Sequence, residues 1–125
     1  MRIISGTKKG HNLIASRSKI ARPMTDKNRE TIFNIILHSK ELADCDFNLN
    51  EATVLDLFAG TGAFAFEAVS RGAKEAILVE NDQYMIDIIF KNVEKLKLHT
   101  DISLISKDAT SIKPEDIEKN IDLVF

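Results

Sequence analysis

The residues with the clearest chemical potential lie between Val54 and Ala65. There an apolar strand carrying Asp56 runs through Phe58 into Gly60-Thr61-Gly62 and then into a helical pattern. Glycines at that spacing admit positive φ and place no Cβ in the way, so a ligand can lie against the backbone amides at a helix N-terminus. On its own such a turn equally describes tight packing of a helix on a strand. Glu80 follows Gly62 by 18 residues and ends the next apolar run, a spacing at which an acid accepts hydrogen bonds from both hydroxyls of a ribose. Asp56 narrows the ligand further. A carboxylate beside the turn repels a pyrophosphate, by roughly a few kcal/mol where the site is partly desolvated. It suits a zwitterion with an ammonium and a sulfonium, held directly or through a water, and S-adenosyl-L-methionine has that charge pattern. Asp108, in Ile105-Ser106-Lys107-Asp108-Ala109, ends a third apolar run and can accept from an adenine amino group. A loop acid or helix cap is the equally open reading of that residue.

Other chemistry is poorly supported. His11, His38 and His99 are scattered without metal-ligand spacing or a serine or cysteine partner, and the single Cys45 permits neither an internal disulfide nor a zinc ribbon. The 125 residues are 44% apolar and 29% charged with net charge −2, a profile that fits one soluble domain in a reducing cytoplasm. The N-terminus lacks the apolar run of a signal peptide, and no stretch has the ~20 apolar residues of a membrane span. The near-neutral total conceals a split. Residues 1–30 hold eight Lys/Arg against two Asp/Glu, while residues 31–125 hold nine against seventeen. A basic arm ahead of an acidic body is an electrostatic footprint for nucleic acid, or else a solvated hairpin.

Positioning these residues requires alternating strands and helices. The first 22 residues read as a hairpin turning at Gly6 to Gly10, with Ile3, Ile4 and Leu13, Ile14 on its two sides. Thr25 or Asp26 caps a helix that runs to about Lys40, its apolar positions Ile32, Phe33, Ile36 and Leu37 at helical spacing, and residues 41–52 read as a polar loop. The pattern then predicts strand Thr53–Phe58, helix Ala63–Arg71, strand Glu75–Glu80, helix Asp82–Leu96 and strand Ile102–Ser106. A short helix opened by Pro114 and strand Asp122–Phe125 complete it. Such alternation implies a parallel α/β sheet with helices covering both faces, which the unbroken apolar run Ala76-Ile77-Leu78-Val79 supports. The expected spatial order is 3-2-1-4. Three segments follow: 1–25 as arm, 26–52 as capping helix and linker, and 53–125 as the body of a Rossmann-like domain.

On these motifs the sequence resembles the class I S-adenosylmethionine-dependent methyltransferases, and more closely the RsmD-like family that methylates guanine N2 of 16S ribosomal RNA. The segments that carry the resemblance are Met1 to Gly6 with Gly10, and Arg22-Pro23-Met24-Thr25-Asp26 with Arg29-Glu30 and Phe33-Asn34-Ile35. Val54 to Gly62, Ser70 to Ala73, Val79 to Asp82 and Asp122 to Phe125 match as well. The resemblance implies that Asp56, Gly60 and Gly62 hold the methionine part of the cofactor, with Phe58 beside them. Glu80 would take the ribose and Asp108 the adenine, with Asn81 and Ala109 also at the cofactor. Thr25, with Asp26 and Arg29, would close over the cofactor and face the target base, a loop that a helix cap explains equally. Lys8, Lys9, Arg17, Lys19, Arg22 and Arg29 would meet phosphates of 16S RNA or of a small-subunit assembly particle.

The family continues its fourth strand into an Asp- or Asn-Pro-Pro-Tyr/Phe motif that orients the target amine, and this sequence stops at Phe125. No catalytic residue is therefore expected within the chain, which is expected to bind cofactor without turnover and to leave an apolar strand edge. Two other readings remain open: a noncatalytic RNA- or cofactor-binding remnant, and a fragment of an NAD-dependent oxidoreductase. Asp56 and the absence of a third glycine at Ala65 oppose the latter.

Overall fold

The structure, a computed structural model, describes residues 1–18 and 23–125. Helices α1 (Asp26–His38) and α2 (Lys40–Asp44) precede β1 (Thr53–Asp56), α3 (Ala63–Ser70), β2 (Glu75–Val79), α4 (Gln83–Leu96) and β3 (Ile102–Ile105). Two 3-10 turns, Ala109–Ser111 and Pro114–Asp116, lead to β4 (Leu123–Val124). The strands are parallel and lie in the order β3-β2-β1-β4, as the alternation implied. Val54 sits opposite both Ala76 and Leu123, so β1 is central and its carboxyl end opens between two neighbours.

One face of the sheet, through Val54, Ala76 and Leu78, packs against Phe33 of α1, the apolar α3, and Ile89, Val93 and Leu96 of α4. Ile3 and Leu13 of the N-terminal arm and Leu49 of the linker enter the same core. The other face, Leu55, Ile77 and Val79, is covered without a helix. Ala109, Ile112, Ile117 and Ile121 of the β3–β4 crossover lie over it, only partly buried. The expectation of helices on both faces is corrected here: a crossover with two 3-10 turns is enough to shield three side chains, so β2 is apolar on both sides with one helical layer.

Local chemistry sets the boundaries. Thr25 accepts from the Asn28 amide and caps α1, and Asp82 accepts from the Met85 amide and caps α4. The helix expected to continue to Lys40 breaks at Ser39, whose hydroxyl accepts from the Leu42 amide and starts α2 inside the stretch read as a loop. Serine competes for backbone groups in a helix interior and is favoured at its cap. The expected N-terminal hairpin is reduced to one antiparallel bridge, Arg2 with Asn12. Hydrogen bonds from Ile3 to His11, Gly10 to Ile3 and Leu13 to Met1 flank it. Val124 and Phe125, at the open edge of the sheet, are substantially exposed.

Candidate functional site

The carboxyl ends of β1, β2 and β3 converge on a crevice that Phe58 divides. On one side an open cavity of about 330 Å³ is bounded by Asp56, Phe58, Gly60 and Phe64, with Met24 and Phe125. On the other a cavity of about 320 Å³ is bounded by Phe58, Glu80, Asn81, Asp108 and Ala109. Phe58 is 75% exposed, far more than a core aromatic, and it borders both. The parallel direction of the strands makes this arrangement: successive strands end at the same sheet edge, and the loops that follow place their first residues around one opening.

Asp56 is the charged residue at the floor. It is 2% exposed, and its carboxyl is pushed up to about 7, first by burial and then by the negative charge of Glu80. The Phe58 backbone amide, which donates to Asp56, works in the opposite direction. A buried acid with so little support is disposed toward a cation. Glu80, by contrast, is well held. Its Oε2 accepts from the Gly60 amide at 2.8 Å, and its Oε1 accepts from the Asn81 and Asp82 amides, both at 2.9 Å. Glu80 thus ties the glycine turn to the end of β2, and lone pairs remain for a ligand hydroxyl, since a carboxylate has about four acceptor sites.

Gly60 has φ +54, and a Cβ there would enter open space, so the ligand side of the turn is unobstructed. Gly62 does something else. A Cβ there would approach the Phe66 ring to 2.8 Å and Leu78 to 3.0 Å, and Gly62 lies outside both cavities. Its lack of a Cβ lets α3 start against the sheet. Asp108 caps the first 3-10 turn by accepting from the Thr110 amide and hydroxyl, which hold its carboxyl below the usual range while it borders the second cavity. The cap reading of Asp108 holds, and the residue stands at the edge of that cavity.

Thr25 is an exposed cap of α1, one of the two readings open for it, and its predecessors Pro23 and Met24 line the cavity wall. The expected phosphate contact is corrected for Arg29. It is 0% exposed, with Nη2 donating to Asp26 and to the Arg2 carbonyl and Nε 3.4 Å from Glu67, so it cannot meet a phosphate. Lys8, Lys9 and Arg17 lie on the N-terminal arm, with Lys9 and Arg17 exposed. Lys19 and Arg22 lie outside the described residues.

Sequence reasoning missed an aromatic column. Arg71 sits 4.9 Å over Phe33, Phe33 stacks on Phe64 at 4.7 Å, and Phe64 stacks on Phe125 at 3.7 Å. Phe64 and Phe125 end that column in the wall of the first cavity. It also missed Glu67, whose signal was available: a lone acid in the octet Ala63–Ser70, apolar elsewhere but for Ser70. Among the described residues no cluster of His, Cys, Asp and Glu suits a metal ion, and no helix is long and apolar enough to cross a membrane.

A family model described as Conserved hypothetical protein 95 matches residues 1–125. Ribosomal RNA small subunit methyltransferase D of Haemophilus influenzae is 30% identical over 127 residues, covering 100% of this chain and 61% of that protein. The Escherichia coli K12 protein of the same name is 39% identical over 97 residues, 78% of this chain and 44% of that protein. Among solved structures, the hypothetical protein TTHA0928 of Thermus thermophilus superposes at TM-score 0.73 with 29% identity, over 92% of this chain and 60% of that one. The Escherichia coli protein yhhF gives 0.70 with 36% identity, over 89% and 54%. The chain spans about half the length of the curated relatives it matches.

Proposed function

Since the chain belongs to the Conserved hypothetical protein 95 family, whose members include the RsmD-like methyltransferases, we propose that it forms the cofactor-binding part of an enzyme methylating guanine N2 in 16S ribosomal RNA. Its cofactor is S-adenosyl-L-methionine. The observation that carries this reading is the buried, poorly supported carboxyl of Asp56 beside the open side of Gly60.

The residues fit that cofactor. Asp56 and Glu80 place two acids around one turn, which favours a ligand with net positive charge at that end and opposes the pyrophosphate of NAD. When bound, the cofactor supplies an electrophilic methyl group on sulfur. Asp56 would balance the ammonium, and its ionised form would be favoured by the cation it faces. Glu80, already fixed by three amides, would accept from ribose hydroxyls without reorganising. Asn81, Asp108 and Ala109 would border the adenine, and Phe58 would separate it from the methionine end. Phe64 and Phe125 offer an apolar, aromatic wall to a flat base. Lys8, Lys9 and Arg17 would neutralise RNA phosphates.

A guanine exocyclic amine has its lone pair delocalised into the ring, and orienting it for attack takes acceptors near the transferred methyl. Apart from the acid Asp56, which the ammonium would occupy, the polar side chains described around the first cavity are Ser16, whose hydroxyl already accepts from the Ser18 amide, and Thr61, whose hydroxyl donates to the Met1 sulfur. We therefore expect these 125 residues to bind cofactor without transferring methyl. Calorimetry of the purified chain with S-adenosylmethionine and with NAD tests the binding, and incorporation of labelled methyl into 16S RNA tests the transfer. Binding of NAD in preference would overturn the cofactor, and incorporation by the chain alone would overturn its inactivity.

A further inference from the structure

We propose that Glu67 and Ser70 of α3 are the seat that positions the basic arm, so that RNA affinity depends on how the arm is held as well as on its charge. This rests on the RNA reading above. Both residues are buried, and they are the polar positions of an otherwise apolar helix. The Glu67 carboxylate receives two arm amides, Ile4 at 2.9 Å and Ser5 at 3.0 Å, together with Arg71 Nε at 2.8 Å and Arg29 Nε at 3.4 Å. One turn on, the Ser70 hydroxyl donates to the Ser5 carbonyl at 2.6 Å and accepts from the Lys8 amide at 2.9 Å. The Ser70 carbonyl accepts from the Thr7 amide at 2.8 Å.

Every residue from Ile4 to Lys8 except Gly6 is thus bonded to α3 through its backbone. Gly6 is where the two chains pass closest. A Cβ there would lie 1.7 Å from the Ser70 carbonyl oxygen, and φ is +86, so only glycine fits without displacing backbone. Arg29 extends the joint by donating to the Arg2 carbonyl and to Asp26 in the first turn of α1.

This is a poor device for stability. Burying charges costs desolvation that apolar packing avoids, and Arg29 Nη1 is buried without a partner among the described residues. What a polar joint supplies, and an apolar one lacks, is register: each arm amide has one acceptor. The charges in it also balance, with Arg29 and Arg71 facing Glu67 and Asp26. Lys8 and Lys9 are therefore left uncompensated, and no ion pair engages them among the described residues. A basic turn held in one attitude loses less freedom on meeting phosphates than a loose one.

The joint can be disturbed from either side. Gly6→Ala lifts the arm by a backbone clash, and Glu67→Gln keeps the volume of the acid while turning a donor toward donors. The affinity of each variant for a fluorescent 16S stem-loop RNA is measured by anisotropy at fixed salt, and that for S-adenosylmethionine by calorimetry. Lys8→Ala/Lys9→Ala is expected to weaken RNA binding about tenfold. Gly6→Ala and Glu67→Gln are each expected to weaken it by about three- to tenfold, the double variant no further, with cofactor affinity unchanged, since both act on one joint. Wild-type RNA affinity in Gly6→Ala, additive losses in the double variant, or parallel loss of cofactor affinity would each overturn the proposal. If the lysine variant itself binds RNA like the wild type, the RNA reading fails instead. Gly6→Ala carries the test alone should Glu67→Gln not fold.

Discussion

Two carboxylates are buried within one β-α unit of this protein, and they are buried in opposite ways. Asp56, at the end of β1, is 2% exposed, is supported by one backbone amide and faces the negative charge of Glu80. Glu67, in the middle of α3, is 0% exposed and receives two amides and two arginines. An acid with few partners at the floor of an open cavity suits a cationic ligand. An acid saturated by its own chain is a joint. Burial alone does not distinguish them; the partner list does.

Removing the two acids should therefore move stability in opposite directions. Glu67→Ala leaves buried guanidinium charge uncompensated and is expected to cost about 3–5 kcal/mol, read from urea unfolding. Asp56 has the reverse sign. Its folded pKa is raised from 3.8 to about 7, so its contribution to stability is fully present below pH about 4 and is lost as pH rises through about 7. That shift corresponds to up to roughly 4 kcal/mol at pH 8, and Asp56→Asn should recover much of it. If Asp56→Asn destabilises the ligand-free protein at pH 8, the contrast is broken.

Cofactor affinity sharpens the contrast next. Asp56→Ala should weaken S-adenosylmethionine binding about a hundredfold by calorimetry, the scale of a partly buried charge pair. Gly62→Ala should instead act through folding, because the added Cβ meets Phe66 and Leu78 at a positive φ. The smallest effect concerns Thr25. As a cap, Thr25→Ala should cost about 1 kcal/mol of stability with cofactor affinity unchanged; loss of affinity would return Thr25 to the site.

The crevice was legible in the sequence because strand ends share one edge of a parallel sheet. Asp56 lies inside the first apolar run and Glu80 and Asp108 follow the next two, and order 3-2-1-4 brings them to one edge. What was illegible depends on contacts distant along the chain. Arg29 looks like a surface cation until Glu67, 38 residues away, buries it. Gly62 looks like a ligand glycine beside Gly60, and only the ring of Phe66 reveals what it accommodates. The Phe33-Phe64-Phe125 stack joins three separate elements, and no local periodicity announces it. The second face of the sheet misled for a related reason: apolar strands report that they are covered, not by what.

The central claim, that the Asp56 carboxyl awaits the cationic end of S-adenosylmethionine, is tested most directly by calorimetry between about pH 5.5 and 7.0, where an α-amino group stays charged. Affinity should tighten by up to about tenfold per pH unit as Asp56 ionises, with proton release visible in buffers of different ionisation enthalpy, and Asp56→Asn should abolish both. An affinity that is flat across this range in the wild type, with no proton released on binding, would contradict it.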